Sequence, residues 1–461
     1  MLLLDILICS FYIALGAAMA IALLSTWSLV DVLSLGLGLG AGLHALLLFL
    51  VSLAGLPLSS MTVAASLVLL FLLAVASAVW RVRRGRSRRL SVEYLRQATP
   101  GSYLVSGILV LLVAGAFILS VGMAYYDWDS VAIWAIKAYG IAKEGSVYAA
   151  SHYGNTGSAF PLNIPLQIAV FRILDGDVLP GSKILFPLYF GSLLLFIIRF
   201  MRKRGMPLLP SALGALLLGT TPIFFHHATV GYVNLPTTWY LAVGGMILMD
   251  GVEGNDLGAV GLAGLLLMLG VWTRPEGIIL WAALIAAVLL ASSFKSHRGL
   301  RWIPVVAAPL LFLLPWFIFM QGTYVPQEEY EVSRLALQGL LRGDVRWTAF
   351  VTIARFLAGQ VLRYRDFGWL LLLNGAVVLI GFRPGRLSSE WLYRTLFLAT
   401  LFLGLAVVGI HYTFAYSPKG MEHVYTMLSN AFNRVSMPVV VTLTLLAMET
   451  IRPLWKERMA A

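Results

Sequence analysis

The stretch YYDWDSVAIWAIKAYG, which begins at Tyr125, places two carboxylates directly after an apolar run long enough to cross a membrane. Asp127 and Asp129 stand before or within the first turn of a predicted short helix, where the helix dipole favours negative charge. Asp129 or Ser130 could cap that turn, with the neighbouring tryptophans as an interfacial belt. A carboxylate at the boundary between water and membrane could instead take a proton from an acceptor hydroxyl. The local pattern leaves capping and general-base chemistry open.

Two further segments place polar side chains in a similar setting. VWTRPEGIIL puts Arg274 and Glu276 in a tight turn between two apolar runs, where they could form a structural ion pair or present a cation to an anion. FHHATVGYVNLP holds His226 and His227, which point about 100° apart on a helix and make a poor shared metal site. The sequence offers no convergent set of His, Cys and carboxylate residues of the kind that is typical of a zinc site, so we expect no metal.

The composition indicates a membrane protein. The chain has 461 residues, of which 60% are hydrophobic and 12% charged, and its mean hydropathy is +0.87. Soluble domains are closer to half apolar and a quarter charged. The net charge of +12 does not favour a nucleic-acid partner, because membrane proteins concentrate Lys and Arg in cytoplasmic loops. The single cysteine, Cys9, rules out a disulfide within the chain.

Thirteen runs approach the roughly 20 mostly apolar residues that a membrane-spanning helix needs. We therefore predict an all-α polytopic membrane protein with about 13 transmembrane helices and short helices on the outer face. The N-terminal run lacks the basic region of a signal peptide, so we interpret it as a retained span. The predicted spans are residues 3–25, 28–55, 60–80, 102–124, 183–200, 207–225, 231–249, 257–272, 277–294, 302–320, 367–382, 392–411 and 436–451.

Five basic clusters determine the predicted orientation. They fall in alternate gaps between the predicted spans and contain 20 of the 33 Lys and Arg residues. The positive-inside rule places these gaps in the cytoplasm, and thirteen spans then put the N-terminus outside and the C-terminus in the cytoplasm. We therefore predict an integral protein of the plasma (inner) membrane. The clusters are RVRRGRSRRL with Arg96, RFMRKRG, KSHRGLR, FRPGR with Arg394, and RPLWKER.

This orientation divides the chain into three predicted parts. Residues 1–100 hold the first helices and a basic cytoplasmic loop, and residues 101–300 hold a transmembrane core with an outer loop at 125–182. Residues 301–461 hold the last helices and two more outer segments, 321–366 and 412–435. The stretch 324–347 has leucines among arginines and predicts an amphipathic helix, either a surface anchor or a flap over the site.

Five segments, in chain order, resemble the GT-C glycosyltransferases, polytopic enzymes that include protein O-mannosyltransferases and aminoarabinose transferases. The pattern D-W-D-S…W…K-A…E-G over residues 127–145 is similar to the family's first outer loop, in which a catalytic Asp follows a span. The other four are FPLNIPLQIAVFRILDGD, GYVNLPTTWYL, VWTRPEGIIL and SNAFNRVSMPVV. The resemblance covers residues 125–440 and implies a GT-C-like fold.

The resemblance also implies an activity. These enzymes move a sugar from a polyprenyl-phosphate carrier to an acceptor hydroxyl on the outer membrane face, and inversion at the anomeric carbon needs a base and a stabilised leaving phosphate. Asp129 is the implied base, and Asp127 would orient it or the acceptor. The implied phosphate-binding residues are Arg274, Arg434, Lys137 and His226. The implied acceptor and sugar pocket contains Trp134, Asn234, Glu276, Tyr412 and His423.

The implied partners are membrane lipid, the lipid-phosphate sugar donor and an acceptor that could be glycan, lipid or protein; no other cofactor is implied. Two features depart from the family pattern: Asn234 stands where many relatives have an acidic residue, and asparagine cannot act as a base. Three spans also precede the one that feeds the Asp loop, where relatives usually have one. A transporter or flippase of lipid-linked glycans and a non-catalytic GT-C-like subunit remain alternatives.

Overall fold

The computed structural model describes residues 2–86, 88–89, 99–153, 160–176, 181–293, 301–323, 328–361 and 364–460. Parts of two predicted basic loops, residues 90–98 and 294–300, lie outside the described residues. Helices α1 to α12 are Leu2–Leu23, Leu29–Leu53, Ser60–Arg83, Pro100–Gly122, Ile136–Glu144, Asn163–Asp175, Leu185–Lys203, Leu208–Gly219, Pro222–Val230, Asn234–Gly254, Leu257–Val271 and Gly277–Ser293. Helices α13 to α22 are Ile303–Ala307, Leu314–Thr323, Glu328–Leu341, Trp347–Val361, Tyr364–Phe367, Leu370–Ile380, Pro384–Ser389, Trp391–Thr413, Met421–Val435 and Met437–Ala460.

Short turns of other types complete these elements. Ser130–Ala135 is π-helical, and 3₁₀ turns lie at Val147–Ser151, Gly181–Ile184, Ala308–Leu313 and Phe414–Tyr416. Thr26–Trp27 pairs in parallel with Arg88–Arg89, a contact two residues long between two loops. The described chain is therefore all-α in its architecture.

Eight helical segments among the described residues are long and apolar enough to cross a membrane, and a bent pair raises the number to nine if it forms one span. The bent pair is α8 and α9, which meet at 66°, with Pro222 at the start of the second half. The protein is thus an integral membrane protein, but the predicted count of thirteen spans is not confirmed. Four predicted spans, 231–249, 257–272, 277–294 and 367–382, coincide with helices that are too short or insufficiently apolar to qualify alone.

The second helix lies in the core of the bundle. Glycines let α1 and α2 approach closely: a Cβ added at Gly16 would lie 2.0 Å from the Gly36 carbonyl oxygen. On the other side of α2, the Tyr240 hydroxyl donates to the Gly38 carbonyl at 2.7 Å. The N-terminal helices are therefore packed into the same bundle as the central helices.

The two ends of the bundle carry different charged groups. Helix α7 has 19 residues, about 28 Å at 1.5 Å per residue, which is close to the thickness of the hydrocarbon core. At its C-terminal end, Arg199 forms buried ion pairs with Asp31 of α2 and Asp250 of α10. Its N-terminal end lies beside the loop that carries Asp127 and Asp129. These carboxylates and the basic end of α7 thus lie at opposite ends of the bundle.

The connection between α15 and α16, in the segment predicted to be outer and amphipathic, contacts the end of α20 and the turn that follows it. The Tyr412 hydroxyl accepts a hydrogen bond from the Arg346 backbone N–H at 2.7 Å. The Tyr416 hydroxyl donates to the Asp344 carbonyl, and the ring of Tyr416 lies against Gly339 of α15. These contacts fix the connection between α15 and α16 to the end of α20.

Candidate functional site

The loop after α4 is tied down at its first residues. The Lys183 ammonium donates to the carbonyls of Met123 and Ala124, at 2.8 and 3.2 Å, where α4 has run out of backbone partners. The Tyr125 hydroxyl lies 3.0 Å from the hydroxyl of Ser182. Lys183 therefore anchors the loop that carries Asp127 and Asp129.

The acidic pair does not cap the helix that follows it. Asp129 occupies the residue before the π-helical turn, has helical dihedral angles, and makes no side-chain capping hydrogen bond. The Ser130 hydroxyl donates to the Asp127 carbonyl at 2.7 Å, so its hydrogen bond stays within the same helical turn. The capping interpretation is therefore wrong for Asp129, and both carboxylates are directed to other partners.

Both carboxylates line a cavity of about 930 Å³ at this end of the bundle. Its walls come from the loop and helical turn that carry Asp127 and Asp129, from α9 (the second half of the bent pair), from the turn after α11, from α17 and from α21. Other described lining residues are Trp128, Ile133, Trp134, Phe160, Pro222, Ile223, His226, His227, Tyr232, Arg274, Arg365, Asp366, Met427, Ser429, Asn430, Ala431, Asn433 and Arg434. The structure thus gathers on one surface side chains that lie up to about 300 positions apart in the sequence.

Each carboxylate has a cationic or ionisable partner. Arg434 of α21 pairs with Asp129, and its guanidinium carbon lies 5.1 Å from the centre of the Tyr232 ring. Asp127 Oδ2 lies 3.1 Å from Nε2 of His226, an ion pair when the imidazole is protonated. The Asp129 and Arg434 side chains are 20% and 18% exposed, so both can be reached from the cavity.

Arg274 is held from two sides. Its Nε lies 2.6 Å from Glu276 Oε1, and its Nη1 donates to Asn234 Oδ1 at 3.0 Å. The turn itself is fixed by Asn163, whose amide donates to the Thr273 hydroxyl at 2.9 Å. Asn234 therefore orients the arginine through a neutral contact, while Glu276 balances its charge. Of these, Arg274 is the side chain that lines the cavity.

Helix α21 has one face toward the core of the bundle and another toward the cavity. Val424, Leu428, Phe432 and Val435, spaced three or four residues apart, are buried against the bundle. The cavity face carries Arg434, together with Asn430 and Asn433. This amphipathic pattern explains how the predicted outer loop brings a charged residue to the Asp loop.

Lys137 is placed differently from the other predicted phosphate ligands. Its side chain is fully buried, it is not among the lining residues, and its Nζ has no hydrogen-bond partner within the described chain. The ammonium lies 5.5 Å from the centre of the Phe160 ring, against which Trp134 of the cavity wall also packs. Burial lowers the pKa of Lys137 to about 7. The amine therefore lies behind the side chains that line the cavity.

Two residues predicted for the sugar pocket lie away from the cavity. Tyr412 binds the Arg346 backbone, as described above, and His423 packs its ring against Phe414 at 5.0 Å between centroids. In contrast, Arg365 and Asp366 line the cavity without having been singled out, and Asn433 donates to Asp366 at 2.6 Å. The only sequence signal for them was the charge of the segment RYRD near the end of an apolar stretch.

The described residues contain no group of three or more His, Cys, Asp or Glu side chains arranged to hold a metal ion. What they offer instead is an oxyanion-binding and proton-accepting surface: guanidinium groups donate bidentately to phosphate, and an ionised carboxylate accepts a proton.

No family model matches the chain, and neither a curated protein nor a solved structure matches it.

Proposed function

We propose that the protein is a membrane glycosyltransferase that moves a sugar from a polyprenyl-phosphate donor to an acceptor hydroxyl at the outer end of the bundle. The supporting observation is the convergence of Asp127, Asp129, Arg274 and Arg434 on one cavity beside membrane-spanning helices. Carboxylates and guanidinium groups are the two kinds of side chain that this reaction needs. The GT-C resemblance of the same segments points to the same activity.

In the proposed reaction, Asp129 takes the proton from the acceptor hydroxyl while the acceptor oxygen attacks the anomeric carbon. The bond from that carbon to the phosphate oxygen breaks, and the configuration at carbon inverts. The bonding electrons leave with the polyprenyl phosphate. Asp127, supported by His226, orients the acceptor.

The charge of the leaving phosphate would be stabilised by Arg274 and Arg434. Because Arg434 pairs with Asp129, a donor phosphate would compete for the guanidinium. Engaging the phosphate would weaken the hold of Arg434 on Asp129 and make the carboxylate a better proton acceptor. Donor binding would therefore activate the base. The site would then have to prevent hydrolysis of the donor before the acceptor binds.

The C-terminal end of the segment 321–366 lies at this cavity. The contacts of Arg346 and Asp344 with the end of α20 fix the α15–α16 connection, and Arg365 and Asp366 further along line the cavity. The flap interpretation of 324–347 stays a prediction, because no described residue of that stretch lines the cavity. Closure over the donor would exclude water from the activated base.

The test uses the purified full-length chain and a panel of polyprenyl-phosphate sugars, with product formation followed by mass spectrometry. We expect Asp129→Asn to lower the transfer rate by about 10²- to 10⁴-fold, because the amide cannot accept the proton. Glu144→Gln is the matched control, since Glu144 is an exposed carboxylate of the same outer loop that does not line the cavity.

The outcomes separate the alternatives. Transfer by Asp129→Asn at the wild-type rate would remove Asp129 from the reaction. A wild-type protein inactive with every donor, yet able to move a fluorescent lipid-linked glycan across a vesicle membrane, would be a transporter. A protein that neither transfers nor transports would fit a non-catalytic subunit.

A further inference from the structure

One side of the cavity carries polar side chains that the proposed transfer reaction does not use. Asp366 of α17 and Asn433 of α21 line it, and the Asn433 amide donates to Asp366 Oδ2 at 2.6 Å. Ser429 and Asn430, about one turn before Asn433 on α21, also line the cavity and are exposed. These four residues form a polar surface, the α17–α21 wall, that has no role in the proton transfer or in phosphate binding.

Two hydrogen-bond acceptors of the α17–α21 wall have no donor within the described chain. Asp366 makes a single hydrogen bond, through Oδ2, so its Oδ1 is free to accept another. An ionised carboxylate only accepts, so the nitrogen of the Asn433 amide must face Asp366, and the amide oxygen has no partner. Because polar groups without partners are unfavourable where water is scarce, the pair is complementary to a ligand that brings O–H donors.

The charges that line the cavity are balanced. The described lining residues include three aspartates and three arginines, namely Asp127, Asp129, Asp366, Arg274, Arg365 and Arg434. On the α17–α21 side, an ammonium ligand would be repelled by Arg365 and an anionic ligand by Asp366. A hydroxyl is neutral and both donates and accepts, so hydroxyl groups can use the oxygens of Asp366 and Asn433 and the amide N–H of Asn430.

The cavity also offers an aromatic surface. The Trp128 side chain lines it and is 68% exposed. Small-molecule sites combine such apolar and aromatic walls with a few placed polar groups, in volumes of about 300–1,000 Å³. A sugar ring has C–H groups on its faces and hydroxyl groups around its rim, so it matches both surfaces. A peptide or an acyl chain would bring few hydroxyl groups to the α17–α21 wall.

We propose that the α17–α21 wall binds the acceptor, and that the acceptor is a neutral glycan whose hydroxyl groups donate to Asp366 and Asn433. Calling the glycan an acceptor rests on the proposed function. The course of α21 supports this role, because Arg434, the residue after Asn433, pairs with Asp129. The same helix thus borders both the proposed base and the wall.

Saturation-transfer difference NMR of the full-length protein, in micelles of a sugar-free detergent and without any donor, tests the wall. The probes are maltotriose, cellotriose, mannotriose and a tripeptide amide with a central threonine. We expect at least one trisaccharide to bind the wild type and the tripeptide not to bind. Asp366→Ala should weaken trisaccharide binding about tenfold or more, the effect of losing a hydrogen bond to a charged group. Glu422→Ala is the control, because it removes an exposed carboxylate of α21 that does not line the cavity.

A second variant removes the other half of the pair. Asn433→Leu has a similar size and lacks both the amide oxygen and the N–H that orients Asp366. We expect it to weaken trisaccharide binding about fivefold, the effect of losing a neutral hydrogen bond. The thermal unfolding transition of each variant checks its folding, and Asn433→Leu decides the matter if Asp366→Ala does not fold.

Several results would overturn the proposal. These are a wild type that binds none of the three trisaccharides, wild-type affinity in both Asp366→Ala and Asn433→Leu, and an equal loss of affinity in Glu422→Ala. Preferential binding of the tripeptide would make the wall a peptide site.

The binding assay separates this proposal from the transfer reaction, because it contains no donor. A wild type that binds a trisaccharide but transfers no sugar to any acceptor would keep the glycan site and reject the transferase function. Transfer to the tripeptide without glycan binding would keep the transferase function and overturn the proposal.

Discussion

Replacing Lys137 with methionine is expected to stabilise the protein at pH 7 and below and to remove a pH dependence of its stability. The lysine is fully buried, and its amine has no hydrogen-bond partner within the described residues. Burial lowers its pKa from 10.5 to about 7. Methionine has a similar length and no charge, so it keeps the packing against Phe160 and removes the titration.

The sign follows from proton binding. Between pH 7 and 10.5 the unfolded chain holds a proton on Lys137 and the folded chain does not, so stability rises with pH in this window. At pH 7 and below both states hold the proton, and the full cost of the buried charge is present. A difference of 3.5 pKa units between 10.5 and 7 corresponds to at most about 5 kcal/mol, with a slope of about 1.4 kcal/mol per pH unit.

The measurement is denaturant unfolding in detergent micelles, followed by tryptophan fluorescence at pH values from 6 to 10. We expect the advantage of Lys137→Met to be greatest at pH 6 to 7 and to shrink toward pH 10. Lys143→Met, which alters an exposed lysine on the same helix, should follow the wild-type slope. Parallel curves for wild type and Lys137→Met would refute the reasoning and mean that the amine is paired or hydrated.

Three other variants test how the site is held. Lys183→Met should lower the free energy of unfolding by about 3 kcal/mol, because two carbonyls at the end of α4 lose a charged donor; Ser182→Ala should cost only about 1 kcal/mol. Equal losses in denaturant titrations would contradict the anchoring role. Asn234→Asp should raise the donor KM about tenfold under the proposed function, because Arg274 would face a second carboxylate besides Glu276. An unchanged KM in steady-state transfer assays would count against Arg274 as a phosphate ligand.

The hydropathy of the sequence predicts the helical membrane class but not the number of spans. Helix α10 shows the reason: Trp239 and Tyr240 are fully buried, and their polar atoms bond to Ser192 and Gly38 inside the bundle. A window of hydropathy cannot distinguish a helix buried among other helices from one that faces lipid. Breaks such as the 66° bend before Pro222 are likewise set by local geometry that composition does not carry.

For the candidate site, spacing indicated the two carboxylates and the Arg274 turn, which are local features. The pairing of Arg434 with Asp129 joins residues 305 positions apart, and no periodicity within either segment specifies it. Capping at Asp129 was a reasonable local expectation, but tertiary contact with Arg434 supplies a stronger partner for the carboxylate. The burial of Lys137 also depends on Phe160, which follows more than 20 residues later.

The central claim is tested most directly by an electron cryomicroscopy map of the full-length protein with a bound polyprenyl phosphate. The account predicts phosphate density in the 930 Å³ cavity, within hydrogen-bond distance of Arg274 and Arg434 and beside Asp129. Phosphate density at another place in the bundle, with this cavity holding only solvent, would contradict it.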